Sequence, residues 1–469
     1  MIEVDVSRVI SRTNARVIGI NMDYLVDHDD NRPVGARPLE EALKEMGVRS
    51  LRFPGGDKSD NHLWSVPPFE RPQPEIACGP RLRQEDLLIN PDGAWKVRRM
   101  DFDDFMGLCK RVKAEPTVVI CYDALFTPGC MMTRQRLLDT AVAWVAYARK
   151  RRYRVKYWEI GNESYIDATV SPYDYARDFI EFAKAMKAAD PSIWVGANGP
   201  PGAESGGAHE ATKETPWWKI IYEVAAQYID FAPVHVYSCY RWGSYEHYRD
   251  HSPGYPEASQ DAYGPLVAAR KYGPPGFADR LRVAVTETNS ADFSEDGWPF
   301  VNSFGHALVT FDIFGTLLEL DRIDNAQLWN TRWVSHKPDT PSLWDAVDDL
   351  NQLQPTGKVL AIWSRFFNEQ MVAVSEPTRM RTFASYSPQS GRLSLFLINK
   401  DVASREFAVK LANFRSAKSA RRWLWSAPSP DGFHPTWQGP KRVPVNADEI
   451  RVSLPPDSLT ILALRKARA

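Results

Sequence analysis

Net charge is almost absent from this 469-residue chain, whose 58 Lys+Arg stand against 59 Asp+Glu for a formal value of -1. The long-range field that draws nucleic acid or an anionic membrane is therefore missing, and neither partner is expected. No apolar run approaches the length of a membrane-crossing helix. Cysteine is scarce too. The five, Cys78, Cys109, Cys121, Cys130 and Cys239, include no CxxC pair, so neither a zinc knuckle nor a disulfide framework is indicated, and they read as reduced, mostly buried thiols. The opening MIEVDVSRVISRTNARVIGINMDY alternates like a strand and carries early acids rather than a basic patch and an apolar run. It is not a signal peptide, and a cytoplasmic location is the expectation. Internal repeats and low-complexity tracts are also missing.

Aromatics are plentiful, with 16 Trp and 18 Tyr. Flat apolar rings with polar edges suit sugar faces as well as cores, and packing accounts for most of them. From about residue 17 short apolar runs alternate with longer amphipathic ones, the pattern of repeated βα units around a parallel sheet. ARVIGINMDY, VRSLRFPGG, EPTVVICYD, VKYWEIGNE, SIWVGANGP, IDFAPVHVY, RLRVAVTETN and RIDNAQLWN are eight strand candidates with helical stretches between them. That count predicts a (β/α)8 TIM barrel over 17–370. After FFNEQM the pattern becomes period-two alternation without helices. Residues 371–469 are expected to form a C-terminal antiparallel β-sandwich, with 1–16 on its edge.

In such a barrel the working face lies at the C-terminal ends of the strands. There the sequence places Asp23, Arg52, Asp57, Asp123, Asn162, Glu163, Asn198, His235, Tyr237, Glu287, Asn289 and Gln327 to Trp329. Glu163 and Glu287, at the fourth and seventh strands, stand out as a pair of carboxylates. Glu159 shares the parity of Glu163 but lies deeper, where a buried acid needs a partner such as Arg. FPGGDKS resembles a phosphate loop but lacks the first Gly of GxxxxGK[ST], and a tight turn under the pocket is the better reading. His247 and His251 have helical spacing without HExxH, so no metal is expected, and no cofactor. Trp64, Trp217, Trp218 and Trp242 are equally suited to stacking and to packing.

The ordered set LRFPGG, WEIGNE, HVY and VTETN resembles retaining glycoside hydrolases of clan A, closest to the family 51 α-L-arabinofuranosidases, with kinship to family 39 β-xylosidases and family 79 β-glucuronidases and heparanases. The resemblance implies a carbohydrate substrate, Glu163 as acid/base and Glu287 as nucleophile. It further implies that Asn162 contacts the sugar hydroxyl next to the anomeric carbon, that Arg52 and the Tyr237 hydroxyl hold Glu287, and that His235 lines the pocket. Gln327 would bind sugar after the eighth strand. Two positions depart from the family. Asp57 stands where the arabinofuranosidases carry Asn, and Asp23 where they carry Glu, so the sugar is not carried over.

Retaining hydrolysis needs one carboxyl ionised and the other protonated. Arg52 and Tyr237 would favour charge on Glu287, whose charge in turn would raise the pKa of Glu163. The competing classes are a carbohydrate-binding protein without turnover and a metal-dependent barrel hydrolase. Furanoside or uronide, exo or endo action, and self-association as a homo-oligomer stay open, with Lys58, Arg241 and Arg332 as loop cations for a uronate.

Overall fold

The computed structural model describes residues 1–12, 17–79, 87–239, 242–251, 256–333, 340–375, 377–446 and 448–467. Strand β1 (Ile2–Ser11) comes first. Eight βα segments follow: β2 (Ile18–Asn21), α1 (Leu39–Met46), β3 (Ser50–Phe53), the small hairpin β4 (His62–Leu63) and β5 (Glu75–Ile76), α2 (Phe102–Val112), β6 (Glu115–Ile120), α3 (Arg134–Lys150), β7 (Tyr157–Ile160), α4 (Pro172–Ala189), β8 (Trp194–Ala197), α5 (Trp217–Ala225), β9 (Phe231–Val236), α6 (Tyr245–Asp250), α7 (Pro256–Tyr272), α8 (Phe277–Arg280), β10 (Arg282–Thr288), α9 (Phe304–Leu318), β11 (Ile323–Leu328) and α10 (Pro355–Phe366).

The eight strands close in the order β10-β11-β2-β3-β6-β7-β8-β9, all neighbours parallel, which is the predicted barrel. Strands covered on both faces must be apolar nearly throughout, and Ile18, Ile20, Leu51, Phe53, Val118 and Val195 are buried. Local signals fix the helix ends. Gly47 takes the left-handed conformation, φ 66°, and returns its N–H to Leu43 to stop α1. Asp101 and Asp104 form a capping box that starts α2.

Strands β12 (Gln370–Val374), β13 (Met380–Ser387), β14 (Arg392–Asn399), β15 (Arg405–Ala412), β16 (Ser419–Ser426), β17 (Thr436–Pro444), β18 (Glu449–Leu454) and β19 (Ser458–Arg465) join β1 in one nine-stranded sheet, order β17-β16-β19-β14-β13-β12-β1-β15-β18. Leu393, Leu395 and Leu397 of β14 share a core with Val409 of β15 and Ile450 of β18, strands far apart in that order, so the sheet folds over on itself as a sandwich. The alternate residues Phe396 and Ile398 belong to the barrel's core instead. Period two thus glues one face inward and the other onto the barrel.

Three expectations are corrected. β1 is an interior strand, between β12 and β15, because Ile2 and Val4 are fully buried there. It runs parallel to β15, which makes the sheet mixed rather than wholly antiparallel. Cys78 and Cys130 are joined in a disulfide, while Cys109, Cys121 and Cys239 are free and buried. The bond ties the loop after β3 to the loop after β6, a proximity that a separation of 52 residues hides.

Candidate active site

The turn after β7 is built to present Glu163. Gly161 has φ 73° and Glu163 itself φ 50°, a conformation that non-glycine residues adopt only when their surroundings hold it. Two neighbouring strands supply the hold. From the end of β6, Asp123 Oδ2 accepts the Asn162 N–H at 2.9 Å. From the end of β8, Asn198 Oδ1 accepts the Ser164 N–H at 3.0 Å while its Nδ2 donates to Ile160 O at 2.8 Å. A Cβ on Gly161 would stand 2.6 Å from Asp123 Oδ2, so the clamp closes only on glycine. Asp123 and Asn198, ambiguous in sequence, are the posts of this turn.

Arg52, on β3 and fully buried, is the hub beneath. Its Nε and one terminal nitrogen donate to Glu159 at 3.0 and 3.3 Å. The same terminal nitrogen donates to Asn162 Oδ1 at 2.8 Å, and the other to Asn21 Oδ1 at 3.0 Å and Glu287 Oε1 at 2.8 Å. Glu159 is the deep partner that its depth in the strand calls for. Parallel register sets Glu287 directly beside His235 across β10 and β9. The Tyr237 hydroxyl donates to Glu287 Oε2 at 2.8 Å. His235 Nδ1 lies 2.8 Å from Glu163 Oε1 and 3.6 Å from Glu287 Oε2, so one imidazole nitrogen stands between the two carboxyls.

The electrostatic balance runs opposite to the expectation for a bare carboxylate pair. Burial would raise Glu163, but the charge and hydrogen bond of His235, with the Tyr165 hydroxyl at 3.2 Å, carry it below its usual value. Burial raises Glu287, against the pull of His235 and Arg52. His235 rises: burial works against its charge, and the two glutamates overcome it. These directions favour the proton on the His235 nitrogen over Glu163 itself, and the two groups titrate as a coupled pair. Nearby, burial lifts Asp123 to about 7.

Asp23 is wholly buried, its carboxyl 3.3 Å from Lys58 Nζ, and burial lifts it to about 6. Asp57 is half exposed at the rim, 4.0 Å from the same ammonium. Lys58 packs over the rings of Trp329 and Trp333. A Cβ on Gly56 would meet Trp329 at 2.2 Å and Glu287 Oε1 at 3.0 Å, so the Gly of FPGGDK brings backbone against the Glu287 carboxyl. Gln327 is corrected to a barrel-core residue: it pairs in register with Gly19, lies fully buried, and approaches Thr117 rather than the mouth. Lys58 and Arg332 are committed to Asp23 and Asp27. Arg241 lies outside the described residues. Trp64, Trp217 and Trp218 are core residues, and Trp242 is nearly buried beside His247 and His251. Trp329, which the sequence places after the eighth strand, joins the site, as do Asn21 and Tyr165, which it does not single out.

A closed parallel barrel with paired carboxyls after its fourth and seventh strands is the architecture of clan A glycoside hydrolases. Residues 42–253 match the family model described as the alpha-L-arabinofuranosidase 1 domain. A probable alpha-L-arabinofuranosidase C from Aspergillus fumigatus is 24% identical over 272 residues, 51% of this chain and 49% of that protein. An intracellular exo-alpha-(1->5)-L-arabinofuranosidase from Bifidobacterium longum is 28% identical over 211 residues, 42% of this chain and 33% of that protein. The chain spans about half the length, or less, of the curated relatives it matches. The crystal structure of an alpha-L-arabinofuranosidase from Thermotoga maritima in complex with arabinose superimposes with a TM-score of 0.72 at 18% identity, covering 99% of both chains. Together these likenesses support a clan A glycoside hydrolase closest in kind to family 51. No helix among the described residues is long and apolar enough to cross a membrane.

Proposed function

We propose that this protein is a retaining glycosidase of arabinofuranosidase type, with Glu287 as nucleophile and Glu163 as acid/base. The observation that carries the reading is the single nitrogen of His235 within 2.8 Å of one carboxyl and 3.6 Å of the other. Those contacts bring one oxygen of each carboxyl to the same imidazole nitrogen, which supports the close pairing that retaining hydrolysis uses. Glu287, held by Arg52 and Tyr237, attacks the anomeric carbon as the glycosidic C–O bond breaks. The proton shared by Glu163 and His235 goes to the departing oxygen, delivered through Glu163. Once Glu287 is esterified, Glu163 takes a proton from water, which then attacks the same carbon and frees Glu287. Asn162, anchored by Arg52, is placed to hold the neighbouring sugar hydroxyl. Asp23 and Asp57, with Lys58 neutralised beside them, suit a neutral glycone better than a uronate. The Cys78–Cys130 bond favours an oxidising compartment over the cytoplasm.

The test is a panel of chromogenic glycosides, followed by mass analysis after a 2-fluoro sugar inhibitor. Arabinofuranoside turnover with label on Glu287 is expected. Glu163→Ala should keep turnover of an activated aryl glycoside and regain rate with azide. Label on any other residue, or inversion of configuration, overturns the assignment.

A further inference from the structure

The chain's charge is not evenly spread. Residues 371–469 hold 16 Lys+Arg against 7 Asp+Glu, which leaves 42 against 52 for residues 1–370. Part of this excess converges on one groove of about 510 Å³ between the end of α10 and the sheet, lined by Arg365, Arg392, Arg421, Arg442 and Arg465 around Trp423. The register makes the convergence deliberate. Arg392 pairs directly with Arg465 across β14 and β19, and Arg421 directly with Arg442 across β16 and β17. Arg421 also faces Ala463, two residues from Arg465, so both pairs stand on one face. Like charges set directly opposite destabilise a sheet. Among the described residues no carboxylate forms an ion pair with any of the five. The Arg365 and Arg421 guanidinium groups lie within 5.8 and 5.6 Å of the Trp423 ring centre, and Asn368 and Ser394 add neutral polar groups.

We propose that this groove is a secondary binding site for the uronate-bearing stretches of a polysaccharide. The proposal rests on the glycosidase reading and deepens it by naming the class of polysaccharide: the groove, at the C-terminal end of α10 and apart from the catalytic mouth, holds an acidic stretch of the chain. Planar guanidinium forks match carboxylates two bonds at a time. The groove is half-open, and its volume lies within the range of small-ligand clefts. Among the described residues the cations at the mouth, Arg52, Lys58 and Arg332, are already paired with carboxylates, whereas the five arginines of the groove are not.

The test measures binding of oligogalacturonate to the full chain by calorimetry, with neutral dextran as control, and needs no turnover. The native chain and Glu287→Ala should bind alike, and binding should weaken with salt. Arg421→Ser/Arg465→Ser should lower affinity by about tenfold or more. Its melting temperature should be unchanged or higher, and hydrolysis of a small neutral glycoside should stay as in the native chain. If no small glycoside is turned over, the function above fails while this site still stands or falls on the calorimetry. Absent binding, binding indifferent to the double substitution, displacement by RNA or phosphatidylserine vesicles at equal affinity, or a salt-sensitive dimer that the substitution dissolves would each overturn the site.

Discussion

At the residue scale the decisive group is His235, because it sets where the working proton rests. Its pKa lies above the ordinary histidine value, so the Glu163–His235 pair should keep its proton to a pH above about 6.5, and the alkaline limb of kcat/KM should lie there. In His235→Asn the proton must sit on Glu163 itself, and the limb should move to lower pH. The stability that protonated His235 contributes is present below about pH 6.5 and drains as pH rises through the folded value; the same variant should flatten that dependence in chemical denaturation. An unmoved limb would mean that the proton belongs elsewhere. Arg52 makes a second case. Its wholly buried guanidinium neutralises Glu159 and Glu287, so Arg52→Met strands buried carboxylates. A loss of about 3–5 kcal/mol is expected in urea unfolding. Glu159→Gln leaves Arg52 paired with Glu287 and strands no carboxylate, so it should lose less.

At the element scale the turn after β7 depends on the ends of β6 and β8. Asp123→Ala or Asn198→Ala removes one post, and a misplacement of about 1 Å in a reacting group lowers rate by about a hundredfold. The loss should be large for glycosides with poor leaving groups and small for dinitrophenyl leaving groups, which need no acid. Equal losses for both would mean general loosening instead. Asp123→Asn, which keeps an acceptor oxygen, should recover most of the rate. The Cys78–Cys130 bond closes a long segment between the β3 and β6 loops. Its reduction, or Cys78→Ser with Cys130→Ser, should cost about 2–4 kcal/mol and show as a lower melting temperature.

At the scale of the whole molecule, barrel and sandwich are joined twice: by α10 leading into β12, and by β1 threading between β12 and β15 before the barrel begins. Val4 is fully buried in the sandwich core. Val4→Asp would place an unpaired charge between two strands and should lower the unfolding midpoint of the entire chain, whereas Glu3→Asp, on the opposite face, should not. A midpoint that stays put would mean that β1 is dispensable. The two units also divide charge, acid in the barrel and base in the sandwich, a separation invisible in the near-zero total.

Read from one end to the other, the sequence alone determined the kinds of element and their order. The eight apolar runs, the switch to period two after residue 370, and the carboxylates at two strand ends are all local patterns, and local patterns follow from backbone geometry. Tertiary structure decided which distant groups touch. The disulfide, the insertion of β1 between two strands, the retreat of Gln327 into the barrel, the two arginine pairs and the contact of His235 with two carboxyls each depend on register or closure. Register is a relation between segments many residues apart, and a one-residue slip would send each of these side chains to the other face.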